Sequence, residues 1–464
     1  MKDNRVLLVF SDNNKDTAAM SHLPPMGMLY LASSLRKRGV EVEVLDLELE
    51  SNPQSLFSER VLSFRPHFVG FSVFLSNTTS SLKYCHLARQ LDPSVRIIVG
   101  GAHTTCIPKL FMTEPIEAIF LGECEHSLPR YILQEDPRDI PGIYIRHNDE
   151  YRLTSPPELP QDLDSIPFPA IDSVDLSNYR GSVYRKLPLS SIITSRGCPF
   201  KCIFCFHGVA GYKFRARSPR NVVDEIKWQK DIASLGELVV EDDNFCQNAG
   251  RVHEICDLLI KENVDINWQG QNGVRVDTLS RELLQVMRES GCWSLSIAPE
   301  SGDPMILKKI RKKFTLDQVR QVVKWCRELG ILIHTNFMIG FPWETEDSVK
   351  RTIDFAMELD TEIIHFCRVF PLPGTDLYKY LKENDLLIKE LDASDYGYYD
   401  KSPHFKLDHI DSSRLDALVK RAHRRFYFRP RKLWQISNAL PFSNIVMMFR
   451  YAMRKKIVGL RGGK

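Results

Sequence analysis

Buried-strand and amphipathic-helix patterns alternate along the first 135 residues of this chain. Five apolar, β-branched runs occur there, RVLLVF, VEVEVLDL, HFVGFSVF, VRIIVGG and EAIFLGE, with helical patterns such as MGMLYLASSLRKRG between them. Because parallel strands need crossover connections, usually helices, this alternation predicts a Rossmann-like parallel sheet over residues 1–135, covered on both faces. Ligands of such sheets bind at the carboxyl ends of the strands, so the loops after residues 10, 74, 100 and 123 are candidate binding loops.

The alternation restarts at Leu189, after a segment rich in Pro, Asp and Ser. Residues 136–188 are predicted to be a linker. Beyond them lie six strand candidates, LSSIITS, ELVVEDD, INWQGQNGV, WSLSIAPE, LIHTNFMIG and EIIHFCRVF. Six βα units are too few for a closed eight-fold barrel, so residues 189–388 are predicted to form a partial (β/α)6 TIM barrel. Residues 389–464 are predicted to form a small, mainly helical C-terminal region. The fold class is therefore α/β.

Composition and charge exclude several function classes. At 464 residues the chain is long enough for two or three domains, and its net charge of +3 gives no electrostatic case for a nucleic-acid partner. The N-terminal apolar run is too short for a signal peptide, and no stretch approaches the roughly 18 apolar residues of a membrane span. A cytoplasmic location is expected, and the eleven cysteines are then reduced thiols or metal ligands.

Three cysteines follow the first strand of the predicted barrel, within SRGCPFKCIFCF. Cys198, Cys202 and Cys205 have the spacing C-x3-C-x2-C. One interpretation is a structural zinc site completed by His207, although no second cysteine pair supports it and the spacing is tight. The other is a 4Fe–4S cluster held by three thiolates, which leaves one iron open to a substrate or cofactor.

With an aromatic residue before its third cysteine, this motif resembles that of the radical S-adenosylmethionine superfamily. The resemblance implies that the open iron binds S-adenosylmethionine, which an electron from the cluster cleaves to methionine and a 5′-deoxyadenosyl radical. Further stretches match in order, namely VVEDDNF, APESG, MIGFPWET and FPLPGTDLY. The residues that the resemblance places near S-adenosylmethionine are Phe204 beside the adenine, Asp242 and Asp243 with Glu241, Glu300 and Ser301 at the ribose or methionyl group, and Ile339 and Gly340 with Pro342 and Glu344 at the adenine loop. Taken alone, Glu300 and the two aspartates are also typical of helix caps.

Small residues follow the strands of the first domain. Polar side chains open a helix after the third strand, and a double glycine after the fourth lets a ligand approach the backbone. The domain resembles the cobalamin-binding domain upstream of the radical domain in one large subfamily. By that resemblance the cobalamin contacts are Ser72, Leu75, Ser76, Asn77, Gly100, Gly101 and Gly122. A structural or dimerising role is the alternative.

One cobalamin motif is missing. Domains that place a histidine on cobalt carry D-x-H-x-x-G after the first strand, but here Asp16, His22 and Gly27 have the wrong spacing. The departure implies a cobalt without a protein imidazole, with the apolar loop around Leu75 or PPMGM nearby. His103 and His334 could face a cofactor or be structural histidines.

The two implied cofactors together indicate methylation of an unactivated carbon through methylcobalamin. No catalytic side chain is assigned, because the cofactors carry the difficult step. The implied partners are a small-molecule or lipid-like substrate and an external electron donor of the flavodoxin or ferredoxin type. An oxidative cyclase or rearrangement enzyme is the alternative, and an iron–sulfur electron-transfer or regulatory protein is a more remote one.

The C-terminal tail is basic. From Ala417 to Lys464 there are thirteen Lys and Arg residues and no Asp or Glu. An apolar helical face, Ile445, Met448, Phe449, Ala452 and Ile457, lies beside Arg450, Arg454, Lys455 and Lys456. The pattern predicts an amphipathic helix at an anionic membrane surface, or else a solvated basic helix that covers the barrel.

Overall fold

The structure is a computed structural model of the chain. It describes residues 4–12, 22–113, 115–148, 150–181, 183–388, 404–432 and 444–446, together with Gln435 and Pro441. Within those residues no helix is both long and apolar enough to cross a membrane.

The first sheet has seven strands in the order β2-β1-β3-β4-β5-β6-β7. The strands are β1 (Arg5–Phe10), β2 (Glu41–Asp46), β3 (Phe68–Ser72), β4 (Arg96–Gly100), β5 (Ile116–Phe120), β6 (Ile143–His147) and β7 (Glu150–Leu153). The helices are α1 (Met26–Arg36), α2 (Pro53–Phe64), α3 (Thr78–Leu91), α4 (Ala102–Cys106) and α5 (Ser127–Ile132). Neighbouring residues of β1 enter different apolar cores, Val6 and Leu8 on one face and Leu7 and Val9 on the other. The predicted doubly covered parallel sheet is confirmed for β1–β5.

The sheet continues beyond the boundary predicted at residue 135. β6 pairs antiparallel with β5, and β7 pairs antiparallel with β6, so part of the predicted linker belongs to the first domain. The hairpin escaped the sequence analysis because its strands are short and alternate apolar with charged residues, as expected at a sheet edge. The segment that links the sheets is therefore shorter and begins after Leu153.

The second sheet has six parallel strands in the order β15-β14-β13-β12-β11-β8, which confirms the partial barrel. Its strands are β8 (Leu189–Ile192), β11 (Glu237–Val240), β12 (Asn267–Val274), β13 (Cys292–Glu300), β14 (Leu332–Ile339) and β15 (Ile363–Arg368), and a two-stranded ribbon, β9 (Ser195–Arg196) and β10 (Arg215–Ala216), follows β8. The helices are α6 (Pro219–Ala233), α7 (Ala249–Lys261), α8 (Arg281–Glu289), α9 (Pro304–Lys309), α10 (Leu316–Leu329), α11 (Glu346–Leu359) and α12 (Asp376–Glu383).

The two faces of the barrel sheet differ in polarity. Outward-facing residues such as Leu238, Leu295 and Phe337 belong to the large apolar core shared with the helices. Residues of the opposite face, such as Gln269 and Ser296, point into the barrel lumen. The helices therefore stabilise the sheet from outside, and the inside remains available for polar groups.

The C-terminal helix α13 (Ser412–Tyr427) packs on the free edge of the barrel. The Tyr427 hydroxyl is 3.0 Å from the backbone nitrogen of Ile364 and 2.8 Å from its carbonyl oxygen, so it satisfies both groups of an edge strand. Further along, Ile445 packs against the cluster that contains Trp293 and Leu332. Ile445, one residue of the predicted apolar face, therefore contacts the barrel, and the membrane-binding helix stays a prediction. Met448, Phe449, Ala452 and Ile457, with Arg450, Arg454, Lys455 and Lys456, lie outside the described residues.

Candidate active site between the two sheets

The three motif cysteines lie on one loop at the carboxyl end of β8, directly after β9. Asp243 braces its start, because Asp243 Oδ2 accepts a hydrogen bond from the Gly197 backbone at 2.7 Å. Gly197 has φ +82°, and a Cβ there would lie 2.3 Å from the carbonyl oxygen of Lys213, so only glycine fits. The far end is held by a 2.8 Å bond from the Leu377 backbone N–H to the carbonyl of Ile203.

The cysteine side chains suit a cluster better than a single ion. All eleven cysteines, every one within the described residues, are free thiols. Burial, and then the neighbouring Cys202 thiol and Asp243 carboxylate, raise the pKa of Cys198, so these groups lie near one another. In the described part of the chain no three His, Cys, Asp or Glu side chains are gathered tightly enough for one metal ion. Thiols that are near but not convergent fit a 4Fe–4S cluster, in which each cysteine binds a different iron.

His207 does not complete a zinc site with these cysteines. Its ring stacks on that of Tyr212 with the centroids 4.3 Å apart. Among the described residues, His207 and the three cysteines are not gathered closely enough to bind one metal ion.

The three acidic residues of VVEDDNF have different surroundings. Both Asp242 oxygens accept hydrogen bonds from the Thr194 backbone, the Thr194 hydroxyl and the Ser195 hydroxyl, at 2.5–2.6 Å. Asp242 therefore orients the strand that leads into the cluster loop, and Asp243 braces the loop itself. Glu241 instead faces the lumen and accepts a 3.0 Å hydrogen bond from Ser191.

Glu300 and Phe204 are brought together through a lysine that the sequence analysis missed. Lys312 Nζ lies 3.2 Å from Glu300 Oε1 and 5.7 Å from the Phe204 ring centroid, and both charged side chains are about one-tenth exposed. Glu300 has φ +66°, which follows a β-bulge at the end of β13 and turns its side chain toward the lysine. The only sequence signal for Lys312 is its place in a basic run, RKK, twelve residues after Glu300.

Arg275 is a second basic residue that the sequence analysis missed. Its guanidinium carbon lies 3.5 Å from the ring centroid of Phe200 in the cluster loop, and it donates a 2.7 Å hydrogen bond to the carbonyl of Lys312. Arg275 therefore joins the cluster loop to the segment that carries Lys312.

Ser301, by contrast, is fully buried. Its hydroxyl lies 3.1 Å from that of Thr352 and accepts a bond from the Asp303 backbone, which shapes the turn after β13. Ser301 thus lies below the surface that Glu300 presents, and its prediction as a direct cofactor contact stays a prediction.

The loop after β14 is held by a buried carboxylate. Glu344 Oε2 accepts bonds from the backbone nitrogens of Gly340 at 2.6 Å and Phe341 at 3.1 Å. Ile339 is buried in the outer core, so only its backbone can face a ligand. Phe341 places its ring 6.0 Å from that of Phe204, which brings this loop beside the cluster loop. Both are segments predicted to meet the adenine.

The predicted cobalamin loops lie side by side at the carboxyl edge of the first sheet. Ser72 is in register with Gly100, and these two residues with Leu75 and Ser76 are partly exposed. Gly101 has φ +114°, and a Cβ there would lie 2.7 Å from the carbonyl oxygen of Val73. This glycine therefore lets the loops after β3 and β4 pack closely against each other at the edge of the sheet.

Asn77 and Gly122 have other surroundings. Asn77 is buried; its Oδ1 accepts a 2.8 Å bond from Phe74, and its Nδ2 donates a 3.1 Å bond to the carbonyl of Ser72, so it braces the loop from within. A Cβ on Gly122 would lie 3.3 Å from Pro157, so this glycine permits packing of the linking segment.

The side chain of His22 is held by two carboxylates and is not placed for cobalt. Its Nε2 lies 2.8 Å from Asp46 and its Nδ1 3.2 Å from Glu48, while its ring stacks on Tyr179. Burial lowers the pKa of His22, but the bonds to Asp46 and Glu48 outweigh it and raise the pKa to about 9. An imidazolium with both nitrogens engaged cannot ligate a metal, which agrees with the missing D-x-H-x-x-G motif.

His103 and His334 are both buried. His103 Nδ1 lies 2.5 Å from the hydroxyl of Thr78, where it joins α4 to the start of α3. Burial lowers the pKa of His103 to about 4 and, with nearby His365, that of His334 to about 3. Both imidazoles are therefore neutral near pH 7.

We expect the His22 ion pairs to make stability depend on pH above neutrality. A histidine whose pKa rises from 6.5 unfolded to about 9 folded stabilises the protein fully below pH 6.5, and this contribution is lost as the pH rises through 9. The loss should approach about 3 kcal/mol. It should appear as the difference in thermal unfolding between wild type and His22→Gln from pH 6 to 9.5. A difference that does not change with pH would contradict it.

A buried charge cluster joins the first domain to the cluster loop. Glu123 and Glu125 follow β5, and Arg196 and Arg215 belong to the ribbon of β9 and β10. Arg196 lies 2.9 Å from Glu123 and 2.6 Å from Glu125, and Arg215 also pairs with Glu123. All four side chains are at most 12% exposed, so these ion pairs are desolvated. A further bond joins Cys106 Sγ to the carbonyl of Pro373, after β15.

The carboxyl ends of both sheets therefore meet. Loops after β4 and β5 contact loops after β8, β9 and β15, so the predicted cobalamin loops stand beside the mouth of the barrel and the cysteine loop.

Comparison with known proteins agrees with this arrangement. The family model described as B12 binding domain matches residues 17–132, and the radical SAM superfamily model matches residues 192–356. An uncharacterized methyltransferase of Pyrococcus horikoshii is 31% identical over 417 residues, 88% of this chain and 89% of the relative. The chain belongs to the cobalamin-binding radical S-adenosylmethionine (SAM) family. It is an enzyme whose cofactors are a 4Fe–4S cluster, S-adenosylmethionine and cobalamin.

Two further proteins are more distant. The anaerobic magnesium-protoporphyrin IX monomethyl ester cyclase of Rubrivivax gelatinosus is 24% identical over 91% of this chain and 77% of its own. The structure of the cobalamin-dependent S-adenosylmethionine radical enzyme OxsB with aqua-cobalamin bound has a TM-score of 0.77 at 16% identity, covering 100% of this chain and 74% of that one. The likeness to OxsB shows that the fold is shared.

Proposed function

We propose that this enzyme transfers a methyl group to an unactivated carbon of a small-molecule substrate. The observation that carries the proposal is the apposition of the two carboxyl edges, with the partly exposed residues Ser72, Leu75 and Gly100 on the side of the barrel mouth. A corrinoid on the first sheet would then face a substrate held in the barrel. The methyltransferase relative from Pyrococcus supports transfer as the outcome.

The bound cofactors would supply a 5′-deoxyadenosyl radical to remove a hydrogen atom and a methyl group to replace it. The protein's own residues orient the reactants and exclude water. We propose that Cys198, Cys202 and Cys205 hold the cluster, and that Asp243 fixes the loop on which they lie. Glu300 and Lys312 present a buried pair of opposite charges near Phe204, suited to the ribose hydroxyls and the methionyl carboxylate of S-adenosylmethionine.

We propose that the corrinoid lies on Ser72, Leu75, Ser76, Gly100 and Gly101. Asn77 acts behind them, since it braces the loop that carries the two serines. The reducing electron would come from an external donor of the flavodoxin or ferredoxin type. The side chain of Cys205 is exposed, which keeps one side of the cluster loop near the protein surface.

Corrinoid uptake tests the site directly. Wild type purified without oxygen in the presence of hydroxocobalamin should retain about one corrinoid per chain by visible absorption. Gly101→Ala should lose it, because its Cβ would lie 2.7 Å from the carbonyl oxygen of Val73 at a positive φ. Gly250→Ala, on helix α7 of the barrel, is the control, since its Cβ would lie 3.6 Å from Asn248 Oδ1, an ordinary van der Waals distance.

Failure of the wild type to retain corrinoid, or equal uptake by Gly101→Ala, would contradict the assignment. Circular dichroism should show that both variants keep the fold. With corrinoid bound, S-adenosylmethionine labelled in its methyl group should pass the label to a product.

Oxidative cyclisation without methyl transfer is the second candidate. It is favoured by the cyclase relative from Rubrivivax, which aligns with most of this chain. A product that forms with 5′-deoxyadenosine but never acquires the methyl label would support it.

A further inference from the structure

The barrel lumen carries one polar side chain from each of its six strands or the residue directly after. We call this set the polar lumen; it consists of Ser191, Glu241, Gln271, Ser296, Asn336 and His365. Side-chain bonds show that its members share one face: Ser191 donates to Glu241 at 3.0 Å, and Asn336 donates to Ser296 at 2.7 Å. Asn336 is also in register with His365.

The floor of the lumen is formed by the buried side chains of Glu237, Gln269 and Trp293. Glu237 Oε1 accepts from Gln269 at 2.7 Å and from Trp293 at 3.2 Å, and its Oε2 accepts from the backbone of Arg185 and Lys186. Gln269 and Trp293 are fully buried. Glu237, Gln269 and Trp293 are therefore hydrogen-bonded to one another and to the neighbouring backbone.

Above the floor the side chains are open to a ligand. Glu241, Gln271, Asn336 and His365 are partly exposed, although they point inward. His334, in register with Ser296, is only 6% exposed, and its Nε2 has no hydrogen-bond partner among the described residues. A buried polar nitrogen without a partner indicates a place where a ligand group or water completes the bonding.

The charges in the lumen select among ligand classes. Burial, and then nearby His423, lower the pKa of His365 to about 4, so this imidazole is neutral near pH 7, as is that of His334. Lys312 is paired with Glu300. Among the described residues no basic side chain pairs with Glu241, whose pKa burial raises to about 7. Its nearest titratable neighbour, Asp242, is itself bonded to Thr194 and Ser195.

We propose that the polar lumen is the substrate site and that Glu241 binds a protonated amine of the substrate. A cation would supply the charge partner that Glu241 lacks, and the remaining amides and imidazoles suit a polar skeleton. A carboxylate or phosphate would meet Glu241 without a free cation. A lipid would enclose the Glu241 carboxylate without a charge partner, so the lipid-like class expected from the basic tail is not favoured.

This inference rests on the proposed function only in calling the ligand a substrate. The test is saturation-transfer NMR at pH 8 with the reconstituted holoenzyme saturated with S-adenosylmethionine, so that the amine of this cofactor is already bound. Four probes of one skeleton are compared: cyclohexylamine, cyclohexanol, cyclohexanecarboxylate and cyclohexylmethanol. We expect the amine to be favoured, and Glu241→Gln to bind it about tenfold more weakly. Glu59→Gln, on the exposed face of α2, is the matched control and should bind as wild type does.

Two readouts keep the test independent of folding in one variant. Glu241→Asp retains the charge and should keep the preference for the amine. In wild type, amine binding should rise between pH 6 and 8 as Glu241 ionises. Equal binding of the four probes, preference for the carboxylate or an alcohol, or a preference unchanged in Glu241→Gln would overturn the inference. Corrinoid uptake without amine preference would leave the proposed function standing, and the reverse result would leave the lumen assignment standing.

Discussion

Cys202→Ala is expected to abolish 5′-deoxyadenosine formation in enzyme reconstituted without oxygen and supplied with dithionite. Three thiolates would bind three of the four irons and leave one iron open. Loss of one thiolate would leave the cluster with two protein ligands. Iron and sulfide should fall well below four per chain, and the broad absorbance near 400 nm that is typical of such clusters should disappear. The same result is expected for Cys198→Ala and Cys205→Ala, because in the proposed cluster each thiolate would bind a different iron.

Cys326→Ala serves as the control for this prediction. Cys326 is a buried free thiol on α10, outside the cluster loop. The Cys326→Ala variant should retain the iron content and at least half of the wild-type activity, because the substitution removes only a small apolar contact. A Cys202→Ala protein that still forms 5′-deoxyadenosine at the wild-type rate would contradict the assignment of the open-iron site.

Glu123→Ala is expected to have the largest effect on stability. Glu123 pairs with both Arg196 and Arg215, and the Arg215 side chain is only 2% exposed. Removal of Glu123 leaves the buried guanidinium of Arg215 without its counter-charge, although Arg196 keeps Glu125, and this costs about 3–5 kcal/mol. The urea concentration at the midpoint of unfolding should fall accordingly. It can be measured by the fluorescence of the barrel tryptophans. Because the pair joins two domains, limited proteolysis of the segment between them should also become faster.

Glu150→Ala is the matched control. Glu150 pairs with Arg152 at 3.2 Å, but both side chains are about three-quarters exposed, so solvent screens the pair. Its midpoint should match that of wild type. A Glu123→Ala midpoint equally close to wild type would show that the interdomain charge cluster does not hold the two sheets together.

The sheet contacts and the lumen have a common consequence for chemistry. The Glu123 cluster joins the edge of the first sheet to the cluster loop, and in the proposed reaction the polar lumen would hold the substrate. A methyl group can pass between them only if both positions are held, because reacting atoms must approach closely before the barrier falls. Glu123 is therefore a positioning residue in the proposed reaction.

Periodic hydrophobic patterns in the sequence predicted most of the fold. Strand and helix alternation located all five parallel strands of the first sheet and all six strands of the barrel, because buried parallel strands need continuous apolar runs. It missed the hairpin at Ile143–His147 and Glu150–Leu153, whose edge position allows charged residues. The cysteine spacing likewise indicated the cluster, since its three ligands are neighbours in the chain.

The sequence by itself determined the order of the elements, the cysteine loop and the two cofactor domains, because these depend on local spacing and on short motifs. Only the tertiary structure showed that Asp242 holds a strand while Glu241 enters the lumen, although they are adjacent. Successive side chains at a strand end point to opposite faces, and their partners come from strands far away in the chain. The pairing of Lys312 with Glu300, and of Glu123 with Arg196 and Arg215, depends in the same way on contacts between distant segments, which no local pattern records.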